Sequence, residues 1–266
     1  MRAPTDMPRR RRRTSSRSRV LIVVAIVVLF LLITSLRGVA SFYTDYLWFD
    51  NLHLSSVFTG ILSAKIALGT IFTLTFAVLC FISLTVADRT APTFRPTGPE
   101  DELLNRYHDF VAPRAWLVRG AVSLFFGLIA GVGQASLWQQ WILFTHAQSF
   151  GVKDATFHTD VGFYVFRLPF LVGVEQWLFD SLIIILLITL VADYLNGGIR
   201  PQSPLQRVTP QVKAHVSVIL AALALVKAVD YYLARYSLTF SNRGYVQGAT
   251  YADVHASLPA LELLLF

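Results

Sequence analysis

Residues 66–87 read IALGTIFTLTFAVLCFISLTVA, 22 positions without a charged side chain. A helix rising about 1.5 Å per residue needs roughly 20 apolar residues to cross some 30 Å of hydrocarbon. In lipid the backbone must satisfy its own hydrogen bonds, so the stretch is read as a membrane-spanning helix and not as a strand. Two other runs are of the same kind: 20–36, with 17 residues, and 120–138, with 19. Two noisier spans follow at 170–196 and 210–235. The first opens after Pro169 and stops at Asn196-Gly197-Gly198; the second opens at Thr209-Pro210 and fades near Tyr236. Proline at the start of a helix and glycine just past its end are the expected boundary marks. A last apolar run, 258–266, has nine residues and reads as the start of a sixth helix.

Composition agrees with these spans. Of 266 residues, 55% are hydrophobic and 15% charged, with a mean hydropathy of +0.55. Ordinary soluble domains carry about 25% charged residues. A water-soluble enzyme, a disordered chain and a collagen-like repeat are all excluded on these figures. Cys80, the single cysteine, permits no internal disulfide and makes no zinc site by itself. The expected fold class is all-α, a polytopic transmembrane bundle with five complete spans.

The net charge of +7 carries topological information. With the N-terminus inside, the pieces 1–19, 88–119 and 197–213 hold 16 basic residues, against 5 in the outer pieces 37–56, 139–168 and 235–257. The positive-inside rule therefore places the N-terminus on the cytoplasmic side of the membrane. The arginine run from Arg9 to Arg13 belongs to this pattern, and no nucleic-acid partner is expected. A cleaved signal peptide competes for the first span, since Gly38-Val39-Ala40 offers small residues where cleavage would fall. The long apolar run and the intruding Arg37 favour an uncleaved helix. Three domains follow: a basic tail, 1–19, expected to be disordered; a bundle, 20–257; and the incomplete sixth span, 258–266.

The connecting pieces have their own character. The first outer loop holds Phe42, Tyr43, Tyr46, Trp48 and Phe49, rings suited to the headgroup level. Residues 99–112 open with Pro99, Glu100, Asp101 and Glu102, followed by Leu103, Leu104, Tyr107 and Val111 at helical spacing. They read as an amphipathic helix on the inner membrane surface. The outer segment after Trp138 carries Trp141, Phe144, Phe150, Phe157, Phe163, Tyr164 and Phe166 and is expected to fold back onto the membrane. No tandem repeat is visible.

No phosphate-binding loop, His-Glu-x-x-His or nucleophile elbow occurs. Gly131-x-Gly133 lies inside a span, and Gly127 with Gly131 reads as a small-residue face for helix packing. His146, Lys153, Asp154, His158 and Asp160 share one outer loop. Their spacing matches no metal site, and polar residues are expected where a loop meets water, so no metal or cofactor is assigned. Ionisable groups inside spans are costly and are functional candidates by default. Asp180 and Lys227 fall at equal offsets from the turn between consecutive antiparallel spans. That register makes them a candidate intramembrane ion pair. The competing readings are that Lys227 pairs with Asp230 or snorkels outward, and that Glu175 and Asp180 reach the wet interface. Lys65, at the edge of the second span, reads as a snorkelling anchor. No catalytic residue is assigned.

Tyr43-Thr44-Asp45-Tyr46-Leu47-Trp48-Phe49 resembles the first-loop motif of an uncharacterised bacterial membrane-protein family, the one numbered zero-one-eight-two in the UPF series. Phe150-Gly151 through Asp154 and Phe157, and then Asp160-Val161-Gly162-Phe163-Tyr164-Val165-Phe166-Arg167-Leu168-Pro169-Phe170, is similar to its second-loop motif. Gly197-Gly198-Ile199-Arg200 and the segment from Tyr251 to Ala260 also resemble family segments. Ala155 departs from a position where members often have proline. The resemblance implies about seven spans in full-length members, a large extracytoplasmic region and often an acidic tail, with this chain as an N-terminal portion. It carries over no catalytic residues. The expected role is a membrane-anchoring and assembly module for an extracytoplasmic domain. The alternatives are a transporter or channel component using Asp180, Lys227 and Glu175, or an envelope enzyme whose chemistry resides elsewhere in the longer protein. Expected partners are the lipid bilayer, other envelope proteins or further copies of the chain.

Overall fold

The computed structural model describes residues 16–91, 114–199, 208–241 and 248–265. The basic tail before Ser16 and the amphipathic segment 99–112 lie outside the described residues. The described chain is helical, with no β-strand beyond two isolated bridges, Lys153 with Asp160 and Ile199 with Val208. Among the described residues, five helices are long and apolar enough to cross a bilayer. The chain divides into two units, one ending at Gly60 and the other beginning at Ile61.

The first unit holds α1, Ser16–Asn51, and the first residues of α2, Ser55–Arg89. α1 is a single helix of 36 residues, so the outer loop expected from residue 37 onward is helical as far as Asn51. Nothing between Arg37 and Asn51 breaks a helix: the stretch has no proline, and Gly38 is tolerated within it. The aromatic residues expected in that loop have helical spacing. Phe42, Tyr46 and Phe49 lie on one face and surround Phe58, with ring centroids 5.4, 5.7 and 5.6 Å away. The turn falls later, at Leu52-His53-Leu54, where His53 takes a φ of 56°.

The second unit comprises the rest of α2, then α3 (Ala115–Val132), α4 (Trp138–Thr145), α5 (Leu168–Leu195), α6 (Pro210–Ser237) and α7 (Leu258–Leu264). Its core is a row on α2 at four-residue spacing, Leu68, Phe72, Phe76, Cys80 and Leu84, set against Phe170, Trp177 and Ile185 of α5. Phe72 meets Trp177 edge to face at 4.6 Å. Trp177 Nε1 donates to the carbonyl of Ala130 at 3.0 Å, which ties α5 to α3. The span expected at 120–138 is longer, Ala115–Thr145, and tightens to 3-10 geometry over Gly133–Leu137. There Ser136 Oγ donates back to the Gly133 carbonyl at 2.8 Å, a local bond that competes with the regular helix. Trp141 and Phe144, expected in a loop, lie on α4 and pack on Phe170 at 5.3 and 5.0 Å.

The α5 and α6 boundaries follow the sequence signals. Gly197, at φ 74°, supplies the left-handed turn after α5. Thr209 Oγ1 accepts from the Val212 amide at the start of α6, with Pro210 as the first helical residue. Two helix starts share one local geometry, although the sequence shows no tandem repeat. Phe163–Arg167 forms a wide π-turn immediately before Leu168-Pro169, and Asp253–Ser257 forms another immediately before Leu258-Pro259. Both are preceded by a capping side chain. Asp160 Oδ1 accepts from the Gly162 amide at 2.7 Å, and Thr250 Oγ1 accepts from the Asp253 amide at 3.3 Å. The proline explains the shared geometry, because its ring clashes with the carbonyl four residues back and a π-turn relieves that clash. Two helices thus enter the bundle through one device that no residue-by-residue identity reveals.

Candidate functional site

Polar and charged side chains gather at both ends of the α5–α6 pair. Toward the end bearing α7, Lys227 Nζ is ion-paired with Asp230, one turn further along α6, and lies over the rings of Phe179 and Tyr231, each 5.3 Å from the centroid. The pair expected between Lys227 and Asp180 does not form. Asp180 is exposed, and the i, i+3 neighbour on the same helix is reached without any constraint on how the two helices rotate. Equal depth placed Asp180 and Lys227 at one level, but depth says nothing about azimuth. Glu175, buried on α5, is an electrostatic neighbour of Lys227, Asp230 and Asp180, so one lysine and three carboxylates share this region. Lys65 is exposed and lies 5.5 Å from the centroid of the Trp138 ring.

At the opposite end, near the α5–α6 loop, lies a cluster the sequence reading passed over. Ser83 Oγ of α2 is 2.6 Å from Thr189 Oγ1 of α5 and 3.2 Å from His215 Nε2 of α6. His215 Nδ1 stands 4.0 Å from Asp193 Oδ2. Close by, Asp88 accepts from Asn196 Nδ2 at 2.8 Å and pairs with Arg119 of α3 at 3.3 Å. The Arg119 guanidinium lies 5.8 Å from the centroid of Phe81. Four helices contribute to this network. A signal for it was present: Ser181, Ile185, Thr189 and Asp193 recur every fourth residue of α5 and are all buried.

Gly127 and Gly131 of α3 lie against α2. A Cβ on Gly127 would come 2.9 Å from the Thr73 carbonyl oxygen, and one on Gly131 would come 2.6 Å from Thr73 Cα. The glycines permit a backbone approach that larger residues would block.

In the loop between α4 and α5, the five polar residues do not converge. Asp160 accepts from Ser149 Oγ at 2.5 Å and from the amides of Gly162, Phe150 and Gly151. The Ser149 bond, reinforced by these amides, holds its carboxyl below the usual value of 3.8. Asp154 accepts from the amides of Thr156 and Phe157 and from the Tyr164 hydroxyl. His146 Nδ1 lies 3.0 Å from the Ile142 carbonyl, within its own helix end. Lys153 joins Asp160 only through the backbone bridge, and His158 takes a φ of 53° in the turn that follows Asp154. Both carboxylates thus organise the loop backbone. Among the described residues, no group of three or more His, Cys, Asp or Glu side chains is placed to hold a metal ion.

Five bilayer-length helices among the described residues, those of the second unit joined through buried aromatic, small-residue and polar contacts, define a multi-pass helical membrane protein. The chain belongs to the uncharacterised protein family UPF0182, whose family model matches residues 21–266. A UPF0182 protein of Frankia casuarinae is 41% identical over 236 residues, covering 89% of this chain and 23% of that protein. One from Salinispora tropica is 38% identical, over 89% of this chain and 24% of its own length. One from Streptomyces coelicolor is 36% identical, over 85% and 23%. The chain therefore spans about a quarter of the length of these curated relatives. No solved structure matches it.

Proposed function

We propose that this chain is a membrane-anchoring and assembly module, held in the bacterial plasma membrane with its N-terminus in the cytoplasm, for extracytoplasmic parts of a longer protein. The observation that carries this reading is the use made of the buried and half-buried polar groups. Trp177 with Ala130, Ser83 with Thr189, and Asp88 with Arg119 and Asn196 each join one helix to another. Interhelical bonds of this kind hold a bundle together in lipid, where apolar faces have no preference for each other over hydrocarbon. Large apolar residues on α1, α2, α3 and α6 remain exposed and supply the lipid-facing surface. The relatives' much greater length provides the material to be anchored. Other envelope proteins, or further copies of the chain, are the expected partners.

The test fuses a soluble reporter after Phe266 and fractionates cells that express the fusion. The reporter is expected to stay with membranes through an alkaline carbonate wash; its release would overturn the anchoring role. A transporter reading is favoured by one observation, the nearness of Glu175 and Asp180 on α5 to Lys227 and Asp230 on α6. Solute or ion flux by the purified full-length protein in liposomes, abolished by Asp180→Asn, would put that reading first.

A further inference from the structure

We propose that Asp193 and His215 form a proton-binding site, in which one proton is shared between Asp193 Oδ2 and His215 Nδ1 and is drawn from water on the side of the α5–α6 loop. The geometry points to it in three ways. The two side chains are 1% and 8% exposed, and each presents to the other an atom with no hydrogen-bond partner. Their separation of 4.0 Å is too long for a hydrogen bond, yet close enough for a charged pair. The far nitrogen of the imidazole is already engaged by Ser83, which also binds Thr189. The ring is therefore held with Nδ1 toward the carboxylate.

Without the shared proton, a carboxylate and a neutral imidazole together carry one negative charge in a buried place, and an orphaned carboxylate oxygen there is costly. Uptake of one proton from hydronium brings the pair to net zero and gives both unpartnered atoms a bond; no other bond forms or breaks. The surrounding groups leave this exchange to the pair. From α2, Asp88 acts on Asp193 electrostatically, but it is itself held by Arg119 of α3 and by Asn196. Ser83 and Thr189 carry no charge and serve to position the ring. Asp193 precedes the end of α5 by two residues, and His215 lies within the second turn of α6. Water at the loop is thus about two turns away or less. A metal ion fits the site poorly, because one imidazole and one carboxylate are too few ligands to hold it.

The test is a pH titration of the purified chain in lipid nanodiscs. Infrared spectroscopy reads the carbonyl stretch of a protonated carboxyl, and nitrogen NMR of labelled histidine reads the imidazolium. One of these signals is expected to titrate in the unmodified chain. The carboxyl signal should vanish with Asp193→Asn and the imidazolium signal with His215→Gln. Replacing either partner should move the midpoint of the other by about one pH unit or more, as strongly interacting sites require. Glu175→Gln and Asp253→Asn, which remove other buried carboxyls, should leave the signal in place. Ser83→Ala keeps both titrating groups and should move the midpoint by freeing the ring, so a decision remains possible if Asp193→Asn fails to fold. The proposal is overturned if neither signal titrates in the unmodified chain. It is equally overturned if each residue titrates at one midpoint whatever stands at the other position, or if Ser83→Ala changes nothing.

Discussion

Asp160 shows how much one side chain organises here. It joins Ser149 to three backbone amides, and its depressed pKa makes that arrangement dependent on pH. The folded loop favours the ionised form, so its stabilisation is complete above the ordinary carboxyl value of 3.8 and is lost as pH falls through and below it. Ser149→Ala should bring the Asp160 titration, followed by NMR, back up toward that ordinary value. Gly131 acts through the side chain it lacks. Gly131→Ala forces a Cβ against the Thr73 backbone and should destabilise the bundle by about 1–3 kcal/mol in thermal unfolding in detergent. Gly133→Ala, which meets nothing within 4 Å, should cost nothing and serves as the control. The contrast was legible in part: the sequence marked Gly127 and Gly131 as a packing face, but only the helix rotation shows that Gly133 lies off it.

The helices themselves depart from hydropathy in an instructive way. A hydropathy reading ends α1 where the apolar run ends, at Leu36, yet the helix continues to Asn51 because helix formation needs compatible backbone residues and not apolar ones. The amides of residues 39–49 should accordingly resist hydrogen exchange in a lipid nanodisc; free exchange there would mean a loop. Trp177→Phe removes the indole donor that joins α5 to α3 while keeping an aromatic ring beside Phe72. It should cost about 0.5–1.5 kcal/mol in the same unfolding assay. The two π-turns before Pro169 and Pro259 went unseen because almost nothing but Leu-Pro is shared between them. Their likeness lies in backbone hydrogen bonding, which is not written as residue identity.

Taken together, the helices place residues 43–49, 163–170 and 197–199 at the ends of bilayer-length helices, where a chain must turn and cap itself. The proposed cytoplasmic side of the N-terminus can be checked in a Cys80→Ala background. Thr156→Cys should react with an impermeant maleimide on intact cells, and Thr5→Cys should not; the reverse pattern would invert the topology. Number and approximate position of the spans, the all-α class and the family were legible from residues alone. Hydrocarbon imposes so severe a requirement for unbroken apolar runs and internal backbone hydrogen bonds that composition reveals it. The partners of the ionisable groups within the spans were not legible. Lys227 turned to Asp230, and Asp193 met His215, because pairing depends on how each helix is rotated about its axis. Rotation is chosen by close packing, in which Gly127 and Gly131 let α3 approach α2 and the row from Leu68 to Leu84 meets Trp177. Hydropathy along a chain measures depth in the membrane, and only the packed tertiary structure sets the angle at which each side chain leaves its helix.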